Sequence, residues 1–232
     1  MWFLYDFWGI LFVLPGLILG IYAQSKVKTT FQKYSRKGNR NGISGEMVAR
    51  ELLAKKNIYG VSITQIGGTL TDHYNPSTDV VALSQGVYNS TSLAAVGVAA
   101  HECGHVEQAK SGYFMLKVRN RLVPVVNFTS KVFPIIMFAG IFFGIGGIYS
   151  TMYINAGLVF YGAMMIFSLV TLPVEFNASK RAYVNLQSCG ILTKEEADGA
   201  KKVLDAAALT YMASFVTSML WFLRFLMLAN RD

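Results

Sequence analysis

The sequence predicts a mainly α membrane protein: about four transmembrane helices, a metal-binding helix between them, and a small β element. Three observations predict it. Of 232 residues, 53% are hydrophobic and 15% charged, and the mean hydropathy is +0.40, which is too apolar for an ordinary soluble domain. Four stretches approach the ~20 apolar residues needed to cross a bilayer. Between the first and the second lies a more polar region that carries His101-Glu102-Cys103-Gly104-His105, an H-E-x-x-H pattern in a chain of three histidines.

Residues 2–22 form the first stretch. It carries only Asp6 and has no basic leader. Trp2, Tyr5, Trp8 and Tyr22 read as interfacial anchors, so a retained span is expected rather than a signal peptide. Residues 29–41 are polar and basic, suited to a juxtamembrane position against anionic lipid. Ser44 can cap a helix to about Lys56, with Val48, Leu52 and Leu53 on its apolar side. Residues 61–66 alternate like a strand, and Gly67-Gly68 ends it. Residues 69–78 read as a loop holding Asp72, His73 and Pro76, and 79–83 as a second short strand. A helix over about 92–110 follows, with its cap within Asn89-Ser90-Thr91-Ser92 and its stop at Gly112. Residues 113–131, with Pro124, read as a mixed segment along the membrane surface. Spans are expected at 132–149 and 153–172, then a helix from about Val174. Thr193-Lys194-Glu195-Glu196 fits a capping box. Residues 210–229 form the last span, with Arg224 close enough to its end to snorkel. The whole, 1–232, is expected to be a single domain.

Charge orients these spans. Residues 23–121 hold thirteen Lys and Arg and residues 174–208 hold five, while the 150–152 turn holds none. The positive-inside rule places 23–131 and 174–208 in the cytoplasm and both termini outside a multi-pass cell-membrane protein. The net charge of +8 is thus accounted for by topology. No aromatic–basic interleaving of the kind used on single strands is present, and no nucleic-acid partner is expected. Two cysteines, Cys103 and Cys189, make no disulfide framework.

Chemistry concentrates at the H-E-x-x-H pattern. On a helix, His101 and His105 lie about 40° apart on one face and can hold one Zn²⁺. Glu102 lies about 100° from His101, able to reach a water on the ion without being a ligand, as a general base. Ala94, Gly97 and Val98 continue the histidine face with small or slim side chains, and Cys103 points away as a buried thiol. A catalytic zinc needs a third protein ligand. Glu175 is the candidate, with Ala178 and Ala182 on its face, although a glutamate after Pro173 also reads as a helix-start residue. His73 reads as a donor to a developing oxyanion or a proton shuttle, as a loop histidine bonded to backbone, or as the third ligand itself.

The chain resembles the YugP-type neutral zinc metallopeptidases, a bacterial membrane-associated family. The likeness rests on Asp72-His73-Tyr74-Asn75-Pro76, on Ala99 to His105, and on Glu175-Phe176-Asn177-Ala178-Ser179-Lys180-Arg181-Ala182. More distantly it is similar to the HtpX and CAAX-protease gluzincins. The resemblance implies a gluzincin-like zinc helix, His101, His105 and Glu175 as zinc ligands, Glu102 as base, and a peptide or protein substrate beside the lipid bilayer. It also implies that the strand at 80–83 either pairs with an extended substrate or is simply core. The chain departs from those gluzincins at Ser179, which stands where they carry an aspartate, so the carboxylate that orients a ligand there is missing or comes from another residue.

Two other functions fit the motif. A site-2-type intramembrane protease would need a spanning helix around H-E-x-x-H, but the apolar run before His101 is about eight residues against ~20, and the third and fourth spans hold no Asp. A non-catalytic scaffold with structural zinc would need a fourth protein ligand and no base.

Overall fold

A computed structural model describes residues 2–142 and 151–230 of the protein. Among the described residues, seven helices and three strands follow in order: α1 (Trp2–Ser35), α2 (Gly45–Lys55), β1 (Ser62–Ile66), β2 (His73–Asn75), β3 (Val80–Ser84), α3 (Gln85–Tyr88), α4 (Leu93–Lys110), α5 (Phe114–Phe142), α6 (Thr151–Ser188) and α7 (Lys194–Ala229). The mainly helical class and the small sheet match the sequence expectation. The chain falls into two compact units. One comprises Met1–Ala23, Lys117–Leu172 and Thr210–Asp232, and the other Gln24–Leu116 and Pro173–Leu209.

The first unit is built from apolar helix. Its core includes stacked aromatic rings, Tyr161 on Trp221 at 5.3 Å and on Phe225 at 5.5 Å between centroids. Gly157 admits Phe225, because a Cβ there would meet that ring at 2.1 Å. Arg224, expected to snorkel, lies 5.4 Å over the Trp221 ring as a cation–π pair. Among the described residues two helices, not the four expected, are long and apolar enough to cross a membrane: α6 and α7. Only 22% and 17% of their apolar windows are buried, which is unlike the core helix of a soluble domain. The side chains of residues 2–8 and 10, including Trp2, Tyr5 and Trp8, lie outside the described residues, as do residues 143–150 at the end of the 132–149 stretch and the turn after it.

Three other expectations need correction. Residues 113–131 are not mixed, because α5 runs unbroken through Pro124 and Pro134. The helix expected from Val174 begins at Thr151 and passes through Pro173. Each proline forfeits one backbone hydrogen bond, a cost that a long helix spreads over the turns on either side. The loop at 69–78 contains β2, whose three residues are too few to show a period and which exists by pairing with β3.

The second unit carries the polar chemistry. Its sheet has the order β1-β3-β2, with β1 parallel and β2 antiparallel to β3. β3 is therefore central and has no free edge, so it is core, and substrate pairing along 80–83 is ruled out. Val81, Leu83, Val48, Leu52, Val96, Ala99, Val106 and Leu186 close one buried cluster. Each large member contributes about 1.5–3 kcal/mol by leaving water.

Local chemistry fixes the ends of α4. The Ser92 hydroxyl accepts from the Ala95 amide at 3.2 Å, and the Leu93 amide donates to the Lys37 carbonyl at 2.8 Å. Asn39 braces the approach by donating from Nδ2 to the Thr91 and Ile43 carbonyls. At the other end Gly112 adopts φ +66°. Its amide bonds the Ala109 carbonyl and that of Tyr113 bonds the Gln108 carbonyl, closing the helix in a Schellman turn. The predicted capping box also forms: the Thr193 amide donates to Glu196 Oε2 and the Glu196 amide to Thr193 Oγ1.

Candidate metal centre

Helix α4 presents His101 and His105 one turn apart, and α6 brings Glu175 against them from seventy-four residues away in sequence. His101 Nε2 lies 3.1 Å from His105 Nε2 and 3.2 Å from Glu175 Oε2, and the third side, His105 Nε2 to Glu175 Oε2, is 3.5 Å. Atoms about 2.0–2.1 Å from a tetrahedral zinc stand about 3.3–3.4 Å apart. The three donors thus match one face of such a tetrahedron. Their side chains are 13%, 11% and 4% exposed, so the group is nearly dry but not sealed.

Close backbone contact makes the convergence possible. A Cβ on Gly104 would fall 2.6 Å from the Ala178 carbonyl oxygen. Ala178 and Ala182 are fully buried, as their place on the Glu175 face anticipated. Gly97, on the histidine face, sits against Ala200, 3.1 Å from where its Cβ would be.

The far edges of both imidazoles are also occupied. Gln108 Nε2 donates to the Val174 carbonyl at 2.7 Å and to Asn177 Oδ1 at 3.0 Å, so its Oε1 must be the atom facing His105 Nδ1, at 3.0 Å. An amide oxygen can only accept, so Nδ1 carries a proton, and Nε2 is the atom turned toward the site. His101 Nδ1 meets Ser179 Oγ at 3.1 Å. Two ring nitrogens and a carboxylate oxygen gathered at one point are a donor set that suits a cation.

A polar chain extends behind Gln108. Asn177 Oδ1 also accepts from Arg181 Nε at 2.9 Å. Arg181 pairs with Glu107 at 3.2 Å, and Glu107 accepts from Asn185. Electrostatics agree with a charged site. Burial pushes the Glu175 carboxyl up, but hydrogen bonds from both histidines outweigh it and hold the group well below the usual carboxylate range. Burial pulls the His105 imidazole down, yet the hydrogen bond and charge of Glu175, helped by Glu102, leave it raised.

Glu102 is buried beside His101. Among the described residues no hydrogen bond or ion pair takes up its carboxylate, which leaves it available to a water. Cys103 points away as expected, buried with Sγ 3.7 Å from the Ala49 carbonyl. His73 is not brought into the triangle. It is exposed on β2, an edge strand, with Nδ1 2.9 Å from the Thr71 carbonyl. Its neighbours are structural: Asp72 accepts from the Ser84 amide and hydroxyl, and Tyr74 donates to Asp79, which also binds Lys110.

Sequence reasoning missed Gln108, and at Ser179 the carboxylate is missing, one of the two alternatives read from the sequence. Gln108 could have been found as a fully buried polar residue three positions after His105, on the same helical face. Ser179 replaces the carboxylate with a hydroxyl but keeps the contact.

Over residues 9–230 the chain matches the model of a family described as "Putative neutral zinc metallopeptidase". It is 42% identical over 219 residues, 94% of this chain and 95% of the relative, to "Putative membrane protease YugP" of Bacillus subtilis (strain 168). No solved structure matches it.

Proposed function

The chain belongs to this family of neutral zinc metallopeptidases, and on that premise we propose that it is a membrane-associated zinc endopeptidase with its centre on the cytoplasmic side. His101, His105 and Glu175 hold the ion, and Glu102 is the general base. The triangle of 3.1, 3.2 and 3.5 Å among the three donor atoms carries the reading. Zinc held there would supply Lewis acidity toward a peptide carbonyl and an acidified water near neutral pH. Glu102 takes the proton of the attacking water and returns it to the leaving amine. Gln108 and Ser179 hold the imidazoles in the tautomer that leaves Nε2 free. An extended substrate pairs with the outer edge of β2, which no described strand covers, and His73 on that strand donates to the oxygen of the scissile carbonyl as charge develops.

Membrane attachment is supported by the relative's printed name and by the poorly buried apolar windows of α6 and α7. We read 2–22 and 132–149 as further spans, and the basic flanks set the orientation. A purely structural zinc site is disfavoured, because structural sites are closed by four protein ligands and the cluster among the described residues has three.

The test is metal content together with hydrolysis of a generic peptide. Glu102→Gln retains about one zinc per chain and loses hydrolysis by at least ~10²-fold, whereas His101→Ala and Glu175→Ala lose the zinc. A Glu102→Gln variant as fast as the parent ends the assignment of the base.

A further inference from the structure

The second unit holds a cavity of about 540 Å³ that shares no residue with the metal centre. One wall is α1, through Lys26, Lys33 and Tyr34, and the other is α7, through Lys202, Asp205 and Leu209. Lys26 and Lys33 are seven residues apart, as are Lys202 and Leu209, so each pair shares one face of its helix. Tyr34 closes one end: its buried ring packs on α7 so tightly that a Cβ on Gly199 would meet it at 3.2 Å. Lys33 Nζ lies 5.9 Å over that ring.

The charge in this groove is unbalanced. Asp205, the only carboxylate of the lining, is held by Lys201 at 2.7 Å. Among the described residues no carboxylate pairs with Lys26, Lys33 or Lys202, and all three are exposed. A second, independent feature lies along the same helices. Immediately before Lys26, α1 exposes Leu17, Ile18, Ile21 and Tyr22. Immediately after Leu209, α7 becomes an apolar stretch with Arg224 as its one charge. Along each of the two helices the sequence therefore passes from basic to apolar, before Lys26 in α1 and after Leu209 in α7. A soluble anion would need only the lysines. A phosphate joined to an acyl chain explains the lysines and the exposed apolar residues together.

We propose that this groove binds the headgroup of an anionic phospholipid. The proposal rests on membrane association but not on the hydrolytic chemistry. It is tested on the full chain in neutral detergent by native mass spectrometry, titrating phosphatidylglycerol against phosphatidylcholine of the same acyl chains. The parent binds phosphatidylglycerol at least about tenfold more tightly. The Lys26→Gln, Lys33→Gln, Lys202→Gln triple variant loses that preference. A control triple off the groove, Lys28→Gln, Lys56→Gln, Lys194→Gln, keeps it, and excess inorganic phosphate does not displace the lipid. Equal loss in both triples would mean diffuse surface charge, and displacement by phosphate would mean a soluble-anion site; either overturns the proposal, as does an absence of preference in the parent. Incorporation of the parent into phosphatidylcholine nanodiscs reports membrane association separately, so a failure there is distinguishable from a failure of the groove.

Discussion

The Ser179 hydroxyl lies 3.1 Å from Nδ1 of His101, on the ring edge opposite the one that faces Glu175. A hydroxyl orients the imidazole but places no negative charge behind it, unlike the carboxylate that often backs a metal-binding histidine. Ser179→Ala is expected to weaken zinc binding about 10- to 100-fold, and Ser179→Asp to tighten it. Competition with a chelator of known affinity checks both, and unchanged affinity in Ser179→Ala would show the contact to be incidental.

Gln108 bonds at once to His105, to the Val174 backbone and to Asn177, with no exposure at all. Gln108→Leu keeps the volume but leaves the buried His105 N–H without its acceptor, at a cost of about 1–3 kcal/mol, while Asn177 keeps Arg181. We expect a lower melting temperature and a lower zinc affinity together. Adding zinc should restore part of the thermal loss, because a ligand that binds only the native state stabilises it.

Gly104 is the point where α4 and α6 touch through backbone. Gly104→Ala places a methyl 2.6 Å from the Ala178 carbonyl oxygen, and neither main chain can yield by rotating a side chain. The helices must separate, at about 1–3 kcal/mol for overpacking, and Glu175 recedes from the histidines. Zinc stoichiometry should therefore fall well before helicity does, as measured by metal analysis and circular dichroism on one sample. A parent-like zinc content would refute the close approach.

Cys103 has its thiol pushed up by burial, with the charges of Glu102 and Glu107 adding to it. Only a thiolate is alkylated readily, so at pH 8 iodoacetamide should spare Cys103 in the native protein and label the half-buried Cys189 first. After denaturation both react. Peptide mapping by mass spectrometry reads the order, and equal native rates would contradict the packing of Sγ against Ala49.

What the sequence disclosed was what local chemistry decides. Ser92 and Gly112 bounded α4, Ser44 capped α2 and Thr193 with Glu196 capped α7, because caps act within four residues of themselves. The Glu175 face was legible through Ala178 and Ala182, whose small side chains foretold a close neighbour. What stayed hidden depends on partners distant in sequence. β2 has no pattern of its own and is a strand only beside β3. Pro124, Pro134 and Pro173 look like breaks, yet the helices continue through them. The acceptor for His105 sits three residues away, but its role is set by Val174 and Asn177 on another helix.

The meeting of His101 with Glu175 has a consequence for the life of the molecule. Glu175 stands seventy-four positions after His101 and is synthesised that much later. A polypeptide still emerging during synthesis, or one whose α4 and α6 have come unzipped, carries an incomplete set of donors for the ion. Completion of the metal site is thereby coupled to correct packing of α4 against α6.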